Sequence, residues 1–141
     1  MSDYGSVDQR DDVVAVKRPE GTSGIVLVCE HASNHFPPDL EFLGLPPDMR
    51  QGHAAWDPGA LSVAEALSHL LDAPLVAGGV SRLVYDCNRP PESPSAMLET
   101  SEGRDIPGNL GLSYRARTDR VARYYLPFEA AVRETMDAAK A

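Results

Sequence analysis

Long apolar runs are missing from this sequence: no stretch approaches the roughly 18 residues needed to cross a membrane. The opening MSDYGSVDQRDD is acidic where a secretory leader would be basic and then apolar, so the expected location is cytoplasmic. Cysteine is scarce. Two residues, Cys29 and Cys87, are too few for a disulfide framework, and each sits in an apolar run where a small buried, reduced thiol is the commoner occupant. Basic side chains are also short, with 13 Lys and Arg against 21 Asp and Glu and a net charge of −8. Binding phosphate backbones or anionic lipid needs a positive field, so neither nucleic acid nor membrane is an expected partner. An anionic ligand would need a local cluster of arginines to overcome the global field.

What is present is ordinary globular usage, 43% hydrophobic and 24% charged over 141 residues. That composition lies away from disordered chains, and the length suffices for one core. Residues 1–22 lack sustained periodicity and read as a loose lead-in with one short strand at Val13 to Val16, before a domain over 23–141. Ile25-Val26-Leu27-Val28-Cys29 is continuously apolar and β-branched, as in a strand covered on both faces. Phe36 to Gln51 carries Pro37-Pro38 and Pro46-Pro47 and reads mainly as loop. Leu61, Ala64, Leu67, Leu70 and Leu71 recur at helical spacing, so Pro58 to Leu71 is predicted as a helix, with Pro58 in its first turn and Asp57 able to cap it. Val80 to Cys87 reads as a second strand, giving a strand–helix–strand crossover beside Ile25 to Cys29. Glu92 to Gly111 is a functional loop, a lid or disorder. Tyr114 to Ala139 is a helix that Pro127 kinks or divides.

Two clusters carry chemistry. In open α/β sheets ligands collect beyond the carboxyl ends of strands, and there the first strand delivers Glu30-His31-Ala32-Ser33-Asn34-His35. His53 to Ala60, with Trp56-Asp57-Pro58-Gly59, follows before the helix. Imidazole and carboxylate suit zinc, and His31 with Asp57 is the preferred pair. The plainer alternative is that Asp57 caps its helix and His31 serves a backbone group. His53 is a reserve ligand, His35 an outer or surface histidine, and His69 a packing residue. The second cluster is Ser81-Arg82 with Asp86-Cys87-Asn88-Arg89. A guanidinium fork grips a carboxylate in bidentate fashion and an amide adds donors, so Arg82, Asn88 and Arg89 could hold an anionic substrate. Alternatively Arg82 pairs with Asp86 and steadies the strand end.

With these residues in view, the chain resembles the N-formylglutamate amidohydrolase family. The matching pieces are Cys29-Glu30-His31-Ala32-Ser33-Asn34, the segment His53 to Ala60, and Ser81 to Pro90 as Ser-Arg-Leu-Val-Tyr-Asp-Cys-Asn-Arg-Pro, with Ile106-Pro107-Gly108-Asn109 a weaker match. The resemblance implies a three-layer α/β/α fold, phosphorylase/hydrolase-like, with a mostly parallel or mixed central sheet. It implies His31 as a zinc ligand, Asp57 as second ligand or orienter of the metal water, and Asn88-Arg89, helped by Arg82, as the clasp for a substrate carboxylate. Ser33 and Asn34 are further substrate-binding candidates. Glu30 and Asp57 are the candidate acid–base carboxylates. The sequence departs from the His-x-x-Glu pattern of the wider zinc carboxypeptidase and aminoacylase group, because Asn34 stands three residues after His31.

The resemblance also implies that the chain is the N-terminal portion of such an enzyme, since family members run well past 200 residues and place another histidine motif later. The expected reaction is metal-dependent hydrolysis of an N-formyl or other N-acyl amide on a small acidic amino acid. A second subunit of a homo-oligomer is the partner that would complete the site. The rivals are a non-catalytic carboxylate-binding homologue and a deacylase or carboxypeptidase acting on another acidic substrate.

Overall fold

A computed structural model describes residues 7–10 and 13–140 of the chain, with side chains from residue 13 onward. Its centre is a four-stranded mixed sheet. In chain order the strands are β1 (Val7–Arg10), β2 (Val14–Lys17), β3 (Leu27–Cys29) and β4 (Leu75–Gly78), and their spatial order is β1-β2-β4-β3. β3 and β4 are parallel, with Val28 opposite Val76, while β2 pairs antiparallel with both β1 and β4. The short strand expected near Val13 to Val16 is present as β2. Alternation buries Val14 and Val16 almost completely, so this part of the lead-in is built into the sheet. Residues 1–6 and 11–12 of that lead-in lie outside the described residues.

Helices lie on both faces. A short α1 (Pro47–Gln51) precedes α2 (Ala60–Leu71), and α2 packs on the face made by Cys29, Leu75 and Ala77. α2 starts two residues later than expected, because Gly59 enters it with φ at +87°, in left-handed space that glycine occupies without cost. The expected C-terminal helix is one continuous rod in three parts: α3 (Tyr114–Arg120), a π-helical turn (Val121–Tyr125) and α4 (Leu126–Lys140). Pro127 has no N–H to give the Arg123 carbonyl, and the wider turn ends just before it. α4 sets Phe128 and Ala131 against Val14, Val16 and Val76, on the face opposite α2.

The second expected strand is not there. Val80 to Cys87 is a chain of turns, and the parallel partner of β3 is β4, a few residues earlier. The reason is local: side chains satisfy backbone groups that a ladder would have used. Ser81 Oγ donates to the Ala55 carbonyl and accepts from Leu83 N–H. Asn109 donates to the carbonyls of Leu83 and Leu98, and buried Arg120 donates to those of Val84 and Gly108. Leu83, Val84 and Tyr85 are nonetheless fully buried and form the middle of the largest apolar cluster, with Leu43, Met97, Ile106 and Tyr124. An apolar run marks burial without marking a strand.

Glu92 to Gly111 is ordered in part as a hairpin of β5 (Thr100–Ser101) and β6 (Arg104–Asp105), followed by a 3₁₀ turn at Pro107–Asn109. Ala96, Met97, Ile106 and Asn109 are all buried, so this segment is a wall of the core and not a disordered tract. Gly108 explains its own identity, since a Cβ there would lie 2.6 Å from the Leu43 Cα.

Candidate functional site

Three connections converge beyond the carboxyl ends of β3 and β4. They are laced by backbone bonds: Asp57 N–H to the His31 carbonyl at 2.9 Å, Ser81 N–H to the His35 carbonyl at 2.8 Å, and Arg82 N–H to the Ala55 carbonyl at 3.1 Å. Gly78, the last residue of β4, is part of this lacing. A Cβ there would stand 2.6 Å from the Glu30 carbonyl oxygen, so only glycine lets the two strand ends approach.

The lacing sets His31 between two carboxylates. Its Nε2 lies 2.7 Å from Asp86 Oδ1 and its Nδ1 3.2 Å from Asp57 Oδ2. A carboxylate only accepts, so in the protonated imidazolium Nε2 donates to Asp86 and Nδ1 to Asp57. The Asp86 hydrogen bond raises the imidazole pKa above its ordinary 6.5, against the opposing effects of burial and of Arg82. Asp86 is 3% exposed. Burial alone would push its pKa up, but the His31 bond, the Asn88 N–H at 3.0 Å and the Arg82 charge together hold it below the usual carboxylate range. Arg82 reaches both acids, with Nη1 3.4 Å from Asp57 and Nη2 3.6 Å from Asp86.

His31, Asp57 and Arg82 therefore do meet, and Glu30, His31 and Asp57 line one groove with the near end of α2. The Asp57 side chain is no helix cap, because α2 has no side-chain cap and Asp57 faces His31 and Arg82. Asn88 joins through its backbone N–H on Asp86, while exposed Arg89 turns Nη1 onto the Asn88 carbonyl at 3.0 Å. Asn34 spends its amide on the Arg50 carbonyl, and Ser33 Oγ accepts from His35 N–H. His53 is exposed and does not line that groove. His69 is not a packing residue but exposed, its Nδ1 3.2 Å from the Arg18 guanidinium. Cys29 is buried and its thiol pKa is raised by burial, and burial pushes that of Cys87 up to about 12, so both stay protonated.

Asp86 is the site residue that sequence reasoning missed, having been read only as a partner for Arg82. The signal was its place two residues before Asn88. An acid inside a motif otherwise made of anion-binding residues needs a cation of its own, and His31 is that cation.

Fold and site together define an α/β protein with a histidine–carboxylate–arginine cleft at the carboxyl ends of two parallel strands. A family model for N-formylglutamate amidohydrolase matches residues 23–141, and the chain belongs to that family. A similar solved structure is gene product Atu2144 from Agrobacterium tumefaciens, with 48% identity and a TM-score of 0.88 over 91% of this chain. This chain spans 51% of that protein's length. No curated protein matches it. No helix among the described residues is long and apolar enough to cross a membrane.

Proposed function

We propose that this chain carries the histidine–carboxylate part of a metal-dependent hydrolase, on a three-layer α/β/α fold, that cleaves the N-formyl or N-acyl amide of an acidic amino acid such as N-formylglutamate. The observation that supports it best is the order Asp86, His31, Asp57 in a member of the amidohydrolase family. In its neutral form His31 keeps the Nε2 proton in the hydrogen bond to Asp86, and its Nδ1 lone pair then lies beside the Asp57 carboxylate, so that the two are available to one ion. Metal-binding histidines are commonly oriented by such a carboxylate on the far nitrogen. His31 and Asp57 would hold zinc or another divalent ion, which when bound would polarise the amide carbonyl and lower the pKa of water.

Catalytic zinc takes three protein ligands, and no group of three His, Cys, Asp or Glu among the described residues is placed to hold a metal. The two residues here fit as a partial set. Asp57 or Glu30 serves as the acid–base carboxylate. Arg82, Asn88 and Arg89 recognise the substrate carboxylates, and Ser33 and Asn34 add polar contacts. The missing third ligand favours a second reading, a carboxylate-binding protein without turnover.

Zinc analysis after dialysis, glutamate calorimetry and a deformylation assay on the wild type, His31→Ala and Arg89→Lys separate these readings. The hydrolase reading expects zinc retention that falls at least tenfold in His31→Ala and deformylation that falls in both variants. Zinc retention unchanged in His31→Ala removes the metal assignment. Glutamate binding that persists while the wild type retains no zinc supports the second reading; lack of deformylation alone does not, because the chain holds a partial ligand set.

A further inference from the structure

Asn88, Arg89 and Pro90 are exposed, yet their turn is tied down from inside the protein. Asp86 makes two of the ties, its carbonyl accepting from the Arg89 N–H at 2.9 Å and its Oδ1 from the Asn88 N–H at 3.0 Å. A third comes from beneath: the Tyr85 hydroxyl donates to the Arg89 carbonyl at 3.1 Å. Tyr85 is 1% exposed. Burial, ahead of the nearby Tyr125, pushes its pKa up, so the hydroxyl stays protonated and remains a donor. Pro90 has no N–H, so the chain just after Arg89 lacks a backbone donor that could fix it.

The Tyr85 ring is held in its turn by Tyr125, with ring centroids 5.3 Å apart and planes tilted by 43°, a spacing at which aromatic rings attract. Tyr125 ends the π-helical turn Val121–Tyr125, and Tyr124 beside it packs in the same apolar cluster. The Cys87 thiol lies 4.0 Å from the Tyr124 carbonyl. The π-helical turn thus touches the residues on both sides of Asp86, and such turns are frequent where a helix serves a site. Phenylalanine at position 85 would fill the same space in the core. The hydroxyl is the part that reaches Arg89.

We propose that Tyr85, braced by Tyr125, is a positioning residue for the carboxylate clasp, fixing the backbone from which the Arg89 guanidinium reaches an anionic substrate. The inference rests on the reading of Arg89 as a ligand of the substrate carboxylate. Arg89 Nη1 lies on the Asn88 carbonyl at 3.0 Å, so gripping an anion requires the side chain to leave that carbonyl. A bidentate grip is directional. A swing about a fixed Cα loses less freedom on binding than a swing about a loose one, and the Tyr85 tie is what holds the carbonyl side of Arg89 in place.

The test is a double-mutant cycle on glutamate binding, measured by calorimetry on the 141-residue chain. Tyr85→Phe keeps the ring and should weaken binding about fivefold, the worth of one hydrogen bond, with circular dichroism unchanged. Tyr125→Leu keeps the hydroxyl and removes the brace, and should weaken binding by about twofold to threefold. Tyr125 is only partly buried, so this variant carries the test if Tyr85→Phe proves unstable. Arg89→Ala should weaken binding at least tenfold. Adding either tyrosine substitution to Arg89→Ala should weaken it no further, since a group that acts through Arg89 then has nothing left to position. Tyrosine losses that persist at full size in the Arg89→Ala background overturn the proposal and leave the clasp standing. Wild-type affinity in a folded Tyr85→Phe, or in Tyr125→Leu where Tyr85→Phe is unfolded, does the same. Glutamate binding absent from the wild type, or unchanged in Arg89→Ala, removes the clasp reading and the proposal with it.

Discussion

At the scale of single residues, the molecule concentrates its buried charge in two places with different solutions. Asp86 and His31 neutralise each other, and their linkage to stability has a definite sign. The folded-state pKa of Asp86 lies below its ordinary 3.8, so its contribution is present above that value and lost as pH falls through the folded pKa. That of His31 lies above 6.5, so its contribution is complete below 6.5 and lost as pH rises through the folded pKa. The pair therefore stabilises most between about pH 4 and 6.5. Asp86→Asn should cost about 3 kcal/mol in that window, and less on either side of it, as read by urea denaturation at a series of pH values. A flat pH dependence of the loss would mean that the pair is not charged. Arg120 is buried with no carboxylate paired to it among the described residues, its charge received by the Val84 and Gly108 carbonyls and by Asn109 Oδ1 at 2.6 Å. Asn109→Ala removes one acceptor of Arg120 and the donor to the Leu83 and Leu98 carbonyls, and should lower stability by about 3 kcal/mol in the same assay.

Elements show where reading the sequence succeeded and where physics hid the answer. Ile25 to Cys29 is apolar and ends in polar residues, and a strand at Leu27–Cys29 follows from that pattern, but its parallel partner is β4 and not the expected Val80 to Cys87. Helix periodicity gave α2 to within two residues. The segment Leu83-Val84-Tyr85 is just as apolar, yet its partners are Ser81, Asn109 and Arg120 side chains, up to 36 positions distant in sequence. No local pattern announces such a rescue of the backbone. His31, Asp57 and Arg82 were legible as a set because each stands beside a strand or helix end. Asp86 was hidden because burial of an acid is invisible until its partner is placed. Gly78 gives a test at this scale: Gly78→Ala would press a Cβ against the Glu30 carbonyl. It should cost about 2 kcal/mol or more and move the His31 imidazole resonances, whereas a neutral substitution would show that the strand ends can separate freely.

For the molecule as a whole, the order β1-β2-β4-β3 has a temporal meaning. β4 is the last of the four strands in sequence, and it lies between β2 and β3 in the sheet. β2 and β3 thus have nothing to join across the centre until residue 78 has left the ribosome, and the β2 to β4 pairing closes a loop of some 60 residues. Folding should accordingly be limited by recruitment of β4, well after α2 has flickered into existence. Val76 touches Val14, Val16 and Phe128 in one buried cluster, so Val76→Ala should slow refolding in stopped-flow experiments by nearly the full equilibrium loss of about 2 kcal/mol. Phe128→Leu, on a helix that arrives later, should mainly speed unfolding. During synthesis the nascent chain would wait with Ile25 to Cys29 unpaired on both sides, and the interval before β4 emerges is when this protein is most exposed to aggregation.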